Sequence, residues 1–274
     1  MNTSPLVGSA VFLFGLIMGS FLNVCIWRLP EEEEVIKERS HCRSCQHVIA
    51  WYDNIPLLSF VWLKGRCRFC RSKISWTYPL VELMTGLLFL GVWFRFGTTA
   101  MAAIYGVLGT SLILISGVDA RSMWIPDQVT LPGLQLGVIL SFFFPVLHGT
   151  SSRWGGLWQG VLGALAGTGV IFGMGALGKL LFRRKLKAIG EEEAVGGGDL
   201  KLMAMVGSFI GWAKVLLVCL LLAPLLGSMV GLVAKYRDGR DLIPYGPFLA
   251  LGTILAIFWG NQMIQWYRVP FMGF

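Results

Sequence analysis

Long apolar segments recur along almost the whole chain, and they restrict its fold more than any other feature. The chain has 274 residues, of which 55% are hydrophobic and only 14% are charged. A soluble domain of this size cannot bury so much apolar surface, so the composition indicates an integral membrane protein in contact with lipid. The formal charge of +8 raises the question of nucleic-acid binding. Because the basic residues lie between the apolar segments, as in cytoplasmic loops, we expect no nucleic-acid partner.

The apolar segments predict an all-α, polytopic membrane protein with about eight transmembrane helices. The segments are 6–27, 78–94, 100–118, 129–147, 157–182, 200–212, 215–234 and 244–266. The sixth is shorter than the roughly 20 residues that a crossing needs, so it is predicted to be a tilted or partly sunken helix that begins inside a cavity. The first lacks a basic leading region and a small-residue cleavage site, which favours a retained helix over a removable signal peptide.

The distribution of Lys and Arg predicts the orientation of these helices. With eight crossings, and with Lys179 and Lys201 counted at the helix ends, one side receives all but four of the 23 basic residues. The four exceptions are Arg95, Arg153, Lys214 and Arg268. The basic side is therefore expected to be cytoplasmic, with both termini on the outer side. Counting the crossings along the chain, we expect Asp119, after the third segment, and Asp199, before the sixth, to lie on the cytoplasmic side.

The chain divides by sequence into a first transmembrane helix (1–27), a cytoplasmic loop (28–77) and a membrane-embedded core (78–274). The loop contains the pairs Cys42 and Cys45, and Cys67 and Cys70, with 21 residues between the pairs. Two such Cys-x-x-Cys knuckles predict a tetrahedral thiolate site for Zn²⁺ in a small zinc ribbon. Redox pairs and disulfides are the alternatives, although a cytoplasmic location disfavours disulfides. We expect the zinc to be structural, since about 50 residues build little core of their own.

Other residues near the knuckles allow more than one interpretation. His41 and His47 are either additional ligands or, because four thiolates already complete the shell, solvated side chains. Cys25 and Cys219 lie within apolar segments, where cysteine acts as a small hydrophobic residue. The acidic run 31–34 is either a solvated face or a binding site for a basic peptide segment.

Asp119 and Asp199 are the strongest candidates for chemistry. An ionisable residue at the edge of an apolar span is costly and suggests a function. Two carboxylates brought to about 3 Å from each other share one proton, which is the arrangement of an aspartyl protease. Asp127 competes with Asp119 as the partner of Asp199, although its position before the fourth segment also suits a helix N-cap.

The three glycines 196–198 before Asp199 have two readings. They form a flexible turn followed by an aspartate N-cap, or they let an extended substrate approach the carboxylate closely. A serine protease with a catalytic histidine is not supported by the sequence. Of the three histidines, His41 and His47 lie beside the cysteine pairs, and His148 is expected on the outer side.

The ordered set of motifs resembles the type IV prepilin peptidases, which also serve type II secretion. The motifs that carry the likeness are Gly19-Ser-Phe-Leu-Asn23, the two cysteine pairs, Trp51-Tyr-Asp-Asn-Ile-Pro56, Tyr78-Pro-Leu-Val-Glu82, the segment with Asp119 and Ile-Pro-Asp127, Glu193-Ala-Val-Gly-Gly-Gly-Asp199-Leu-Lys201, and Ile243-Pro-Tyr-Gly-Pro-Phe-Leu-Ala250. Each motif alone is unspecific, but their order along the chain is not.

This resemblance implies an aspartyl protease of the Gly-x-Gly-Asp type in the bacterial inner membrane. Such enzymes cut the short basic leader from prepilins and pseudopilins at the cytoplasmic face, and the family's catalytic residues correspond to Asp119 and Asp199. Members with the cysteine loop also methylate the new N-terminal amine with S-adenosylmethionine. Residues predicted to contact the substrate are Gly196, Gly197, Gly198, Glu82 and Lys201. Two rival functions remain: a transporter or channel whose carboxylates relay protons, and a scaffold that only binds pilins or secretion components.

Overall fold

The structure is a computed structural model that describes residues 4–35, 39–188, 195–238 and 243–272. The described residues contain α-helices and short helical turns, with two isolated bridges and no β-strand. The α-helices are α1 (Pro5–Arg28), α2 (Leu58–Trp62), α3 (Thr77–Phe96), α4 (Ala100–Ser122), α5 (Asp127–Phe143), α6 (Arg153–Ala188), α7 (Gly197–Ile210), α8 (Trp212–Leu217), α9 (Ala223–Asp238) and α10 (Gly246–Met272). The predicted all-α fold is confirmed.

Six helical segments in the described part of the chain are long and apolar enough to cross a membrane. They are Pro5–Glu31, Thr77–Phe96, Ala100–Ser122, Arg153–Leu181, Trp212–Arg237 and Gly246–Trp266. The fifth combines α8 and α9 through a π-helical turn, Val218–Leu222. The predicted fourth and sixth segments correspond to α5 and α7, which have only 17 and 14 residues. The chain is thus a multi-pass membrane protein, while the count of eight spans is not confirmed by helix length and composition.

The chain forms two compact units, Met1–Val118 and Asp119–Phe274, whose boundary lies within α4. In the first unit, α1 packs along α3. A methyl group added at Gly19 of α1 would lie 2.6 Å from the Cα of Glu82 in α3, which is too close for any side chain. The missing side chain therefore lets the two backbones meet, as small residues do between membrane helices. This contact places Glu82 directly against α1.

In the second unit, α7 lies among neighbouring helices, with α5 and α6 packed against it. Its residues 202–210 are all buried. Where α6 crosses α7, Gly163 and Gly207 bring the two backbones into contact, and neither position has room for a Cβ. A helix segment enclosed on this scale needs no polar outer face, which explains why residues 202–210 are apolar apart from Ser208. Its first turn carries Asp199.

Candidate functional site

Asp119 lies near the C-terminal end of α4, and its side chain is buried with 5% exposure. Its carboxylate oxygen Oδ2 accepts a hydrogen bond of 2.8 Å from the backbone N–H of Gly246. Gly246 is the first residue of α10, and the first N–H groups of a helix have no acceptor within that helix. The start of α10 therefore supplies a donor that fixes the orientation of the Asp119 carboxylate.

Asp199 is the third residue of α7 and is also buried, with 8% exposure. Burial raises the pKa of Asp199 to about 7; the charge of Asp119 adds to this rise, and a hydrogen bond from the Gly196 backbone opposes it. The Asp199 carboxylate thus lies within the electrostatic field of Asp119. Such a pair retains a proton near neutral pH, because two buried like charges cannot both ionise readily. The structure brings together the two aspartates singled out from the sequence.

Asp127 occupies a different environment from this pair. The Nζ atom of Lys201 donates to both of its carboxylate oxygens, at 2.8 and 2.7 Å, and half of the Asp127 side chain is exposed. The charge of Asp127 is thus paired with Lys201 at the surface, whereas the Asp199 carboxylate is buried. Neither aspartate is an N-cap, since Pro126 caps α5 and Gly196 caps α7. The N-cap readings of Asp127 and Asp199 are therefore wrong, whereas Lys201 contacts Asp127 directly.

The three glycines before Asp199 have distinct surroundings. A Cβ at Gly198 would lie 2.8 Å from the Cβ of Ile125, so this glycine permits α7 to pack against the Ile-Pro-Asp segment. A Cβ at Gly197 would meet no atom of the described residues within 4 Å. Gly196 is extended, with φ −69° and ψ 146°, and caps the helix. Space next to the Asp199 turn is therefore open at Gly197. Glu193, at the start of the motif, lies outside the described residues.

Sequence reasoning did not assign the roles of Tyr245 and Gly246, although both belong to the motif 243–250. The Tyr245 hydroxyl is buried and has no hydrogen-bond partner among the described residues. Burial, followed by the charges of Cys219 and Asp199, raises the pKa of Tyr245 to about 12. The hydroxyl therefore keeps its proton and can donate it to a hydrogen bond. A Tyr-Gly pair enclosed by Pro244 and Pro247, directly before an apolar segment, was the signal in the sequence.

The four cysteines of the loop converge in the first unit, where their Sγ atoms all lie within 4.8 Å of one another. The Sγ atoms of Cys42 and Cys70 are 3.8 Å apart, close to the roughly 3.8 Å edge of a tetrahedron with Zn–S bonds of about 2.3 Å. The donor set and its geometry therefore fit a zinc ion. His41 and His47 are not part of this cluster in the described chain, and the His47 ring packs on Phe69 with centroids 3.4 Å apart.

The two knuckles have the same backbone structure, offset by 25 residues. The N–H of Cys42 donates to the carbonyl of His47 at 2.9 Å, and the N–H of Cys67 donates to that of Ser72 at 2.9 Å. Gln46 and Arg71, at matching positions, both have left-handed φ angles, of 58° and 59°. These matching turns direct the four cysteine side chains toward one point.

Glu82 and the acidic run lie in the first unit. The Oε2 atom of Glu82 accepts a 2.9 Å hydrogen bond from the backbone N–H of Leu57 in the loop, and its side chain is buried with 8% exposure. The acidic residues 31–34 are exposed, and Glu33 lies 4.0 Å from Nε of the buried Arg28.

Comparison with known proteins agrees with this architecture. Residues 13–96 match the bacterial peptidase A24 N-terminal domain, and residues 106–232 match the type IV leader peptidase family. A protein of Aeromonas hydrophila named prepilin leader peptidase/N-methyltransferase is 37% identical, over 96% of this chain and 94% of its own length. Relatives with the same name are 34% identical in Pseudomonas aeruginosa (96% of this chain, 93% of the relative) and 39% identical in Myxococcus xanthus (86% and 65%). No solved structure matches the chain. With matches along nearly its whole length, the chain belongs to the type IV leader peptidase family.

Proposed function

We propose that this chain is a bifunctional enzyme that cleaves the leader peptide from type IV prepilins or type II secretion pseudopilins and then methylates the new N-terminal amine with S-adenosylmethionine. The observation that carries the proposal is the buried pair of Asp119 and Asp199. The shared name of the relatives, prepilin leader peptidase/N-methyltransferase, supports both activities.

Asp119 and Asp199 divide the acid and base roles of peptide hydrolysis. The ionised carboxylate takes a proton from a water molecule as that water attacks the scissile carbonyl. The protonated carboxyl donates a hydrogen bond to the carbonyl oxygen, and a proton then passes to the leaving amine. The pKa of Asp199 near 7 favours Asp199 as the acid, which leaves Asp119, held in place by the Gly246 N–H, as the base.

The glycine run and Lys201 are proposed to help position the substrate. The open space at Gly197 admits an extended backbone beside Asp199. Lys201 contributes by neutralising Asp127, which keeps a third negative charge from disturbing the pair. The exposed acidic run 31–34 is a candidate for attracting the basic leader.

The active site is proposed to face the cytoplasm of a bacterial inner membrane. Six crossings by α1, α3, α4, α6, α8–α9 and α10 alone would leave Asp119 and Asp199 on opposite sides. Their shared electrostatic environment supports passage of α5 through the bilayer as well, since this crossing returns Asp199 to the side of Asp119. A further crossing by α7 keeps the basic segment 235–243 on that same side, which gives eight crossings. With eight, the excess of Lys and Arg places both aspartates on the cytoplasmic side.

One Zn²⁺ is proposed to bind Cys42, Cys45, Cys67 and Cys70. Four thiolates leave no open position for water or substrate, so the ion stabilises the loop and takes no part in hydrolysis. When bound, it supplies folding free energy to a segment with few buried residues.

Mass spectrometry of a purified prepilin, before and after incubation with this protein and S-adenosylmethionine, tests both activities together. We expect loss of the leader mass and a gain of one methyl group. A transporter or channel would leave the prepilin intact, and a scaffold would bind it without cleavage. Loss of cleavage in Asp199→Asn excludes a contaminating protease, provided that the variant retains its zinc content and its melting temperature.

A further inference from the structure

A cavity of about 370 Å³ lies in the first unit, between the cysteine loop and the adjoining ends of α1 and α3. Its walls include Asn23 and Trp27 of α1, Tyr78 and Glu82 of α3, and Asp53 and Phe60 of the loop. The volume falls within the range of about 300–1,000 Å³ that is typical of small-molecule sites. The proposed hydrolysis uses none of these residues.

Hydrogen bonds between the walls hold this cavity in shape. Glu82 accepts from the Leu57 N–H, which links α3 to the loop, and the side-chain amide of Asn23 donates to the Tyr78 carbonyl at 3.0 Å, which links α1 to α3. Leu57 has a φ of 61°, an unfavourable value for a branched side chain. The buried Arg28 donates to the carbonyls of Glu34 and Val35, both at 3.1 Å. Connections of this kind characterise a preformed site.

Aromatic surfaces form one part of the lining. The rings of Trp27 and Tyr78 are nearly parallel, with an interplanar angle of 15° and centroids 6.2 Å apart. The guanidinium of Arg43 lies 3.6 Å from the centroid of Trp27. Aromatic faces of this kind stack on a purine base and attract a cation through the negative face of the ring.

The lining carries four cations, Arg28, Arg43, Arg68 and Lys73, and three carboxylates, Glu33, Asp53 and Glu82. Asp53 accepts from Nε of Arg68 at 2.7 Å, and Glu33 lies beside Arg28. Glu82 forms no ion pair with any described residue, and its hydrogen bonds come from the Leu57 N–H and the Ser20 side chain. Glu82, together with the cations Arg43 and Lys73, favours a ligand that carries a positive charge, a carboxylate and a flat base.

We propose that this cavity is the binding site of the methyl donor S-adenosylmethionine, with Trp27 and Tyr78 packing against the adenine or the sulfonium and Glu82 neutralising the sulfonium charge. This assignment rests on the methyltransferase half of the proposed function. It also gives the cysteine loop a role, since Cys42 and Cys67 contribute to the same walls. Glu82, predicted from the sequence to contact the peptide, thereby faces the methyl donor.

The transfer step needs no further reactant. The pilin's terminal ammonium first loses a proton to water, and the neutral nitrogen attacks the methyl carbon. The carbon–sulfur bond breaks with its electron pair remaining on sulfur, and S-adenosylhomocysteine leaves with a neutral thioether in place of the sulfonium. The methylated ammonium is the other product. A carboxylate at Glu82 therefore binds the sulfonium donor more strongly than the thioether product.

Direct binding to the purified full-length protein tests this assignment. Dissociation constants of S-adenosylmethionine and S-adenosylhomocysteine are measured by titration calorimetry for the wild type, Glu82→Gln, Trp27→Ala and Trp27→Phe. Glu82→Gln keeps an oxygen for the Leu57 N–H and removes only the charge, so we expect about tenfold weaker binding of the donor and little change for the product. Trp27→Ala should weaken both ligands, and Trp27→Phe should restore most of the loss. Trp158→Ala, a matched change at an exposed tryptophan of the second unit, should leave both constants unchanged.

Ultraviolet cross-linking of methyl-labelled S-adenosylmethionine locates the site independently of these variants. The labelled peptides are expected within residues 20–82. If the wild type binds and methylates while Glu82→Gln keeps the wild-type constants, or if the label maps to 119–274, the cavity is not the donor site. If the wild type neither binds the donor nor methylates a pilin, the methyltransferase function itself fails.

Discussion

The backbone N–H of Gly246 and the carboxylate of Asp119 lie 127 positions apart in the sequence and are joined by a hydrogen bond of 2.8 Å. A methyl group added at Gly246 would lie 2.8 Å from Oδ2, 3.3 Å from Cγ and 3.4 Å from Cβ of Asp119. The first turn of α10 therefore packs closely against this carboxylate. The close contact requires glycine at position 246, because any side chain there would displace the carboxylate. The proposed catalytic pair is thus oriented by the start of α10, which belongs to neither aspartate motif.

Gly246→Ala should lower the rate of prepilin cleavage by about 10²-fold, because the added methyl group displaces the Asp119 carboxylate and catalysis is sensitive to shifts of about 1 Å. Steady-state cleavage of a prepilin in detergent measures the effect. Gly173→Ala is the matched control, since a Cβ there meets nothing within 4 Å, and alanine is favoured over glycine in a helix. Equal activity of the two variants would contradict the role assigned to Gly246.

Asp119→Asn and Asp199→Asn should each reduce cleavage by at least about 10³-fold, since each removes one half of the acid–base pair. Asp127→Asn should retain most activity, because Asp127 is half exposed and bonded to Lys201 outside the pair. Single-turnover cleavage by the three variants provides the comparison. An inactive Asp127→Asn together with an active Asp119→Asn would show that the partner of Asp199 has been misassigned.

Cleavage should decline as the pH rises above about 7. Burial and the charge of Asp119 raise the pKa of Asp199 to about 7, so its proton is present below this pH and is lost above it. Well above the pKa, each further pH unit should lower kcat/KM about tenfold. Methylation of a pre-cleaved pilin should instead rise over pH 7–8, because a free α-amino group has a pKa of about 7.7–8.0 and must be neutral to react. Parallel profiles for the two reactions would indicate general inactivation and would count against the assigned acid.

Cys70→Ser should abolish stoichiometric zinc binding and loosen the loop, because three thiolates no longer complete the tetrahedral shell. Metal analysis should give one zinc per wild-type chain, and limited proteolysis should show faster cutting within 39–76 in the variant. Methylation should fall more than cleavage, since the knuckles line the cavity of the first unit and the aspartates belong to the second unit. Cys25→Ala, a buried cysteine outside the cluster, should keep its zinc.

Much of the architecture could be predicted from local composition. The apolar segments, the glycine before Asp199 and the two Cys-x-x-Cys pairs are local patterns, and the cysteine cluster in the structure agrees with the spacing of its ligands. The lengths of α5 and α7 did not predict whether these two helices cross the membrane. Neighbouring helices enclose α7, so a segment of 14 residues can be buried without the length of an independent span.

The sequence by itself determined the class of protein, the candidate metal ligands and the candidate aspartates. Each can be recognised within a short segment: by the length of the apolar segments, by the Cys-x-x-Cys spacing, and by carboxylates at the ends of apolar segments. Only the tertiary structure gives a physical reason to prefer Asp119 over Asp127: Asp119 is buried and its charge acts on Asp199, whereas Asp127 is paired with Lys201 at the surface. It also revealed the Gly246 hydrogen bond and the cavity beside Glu82. Both depend on contacts between distant segments, and the packing of helices against one another, not the order of residues within them, creates such contacts.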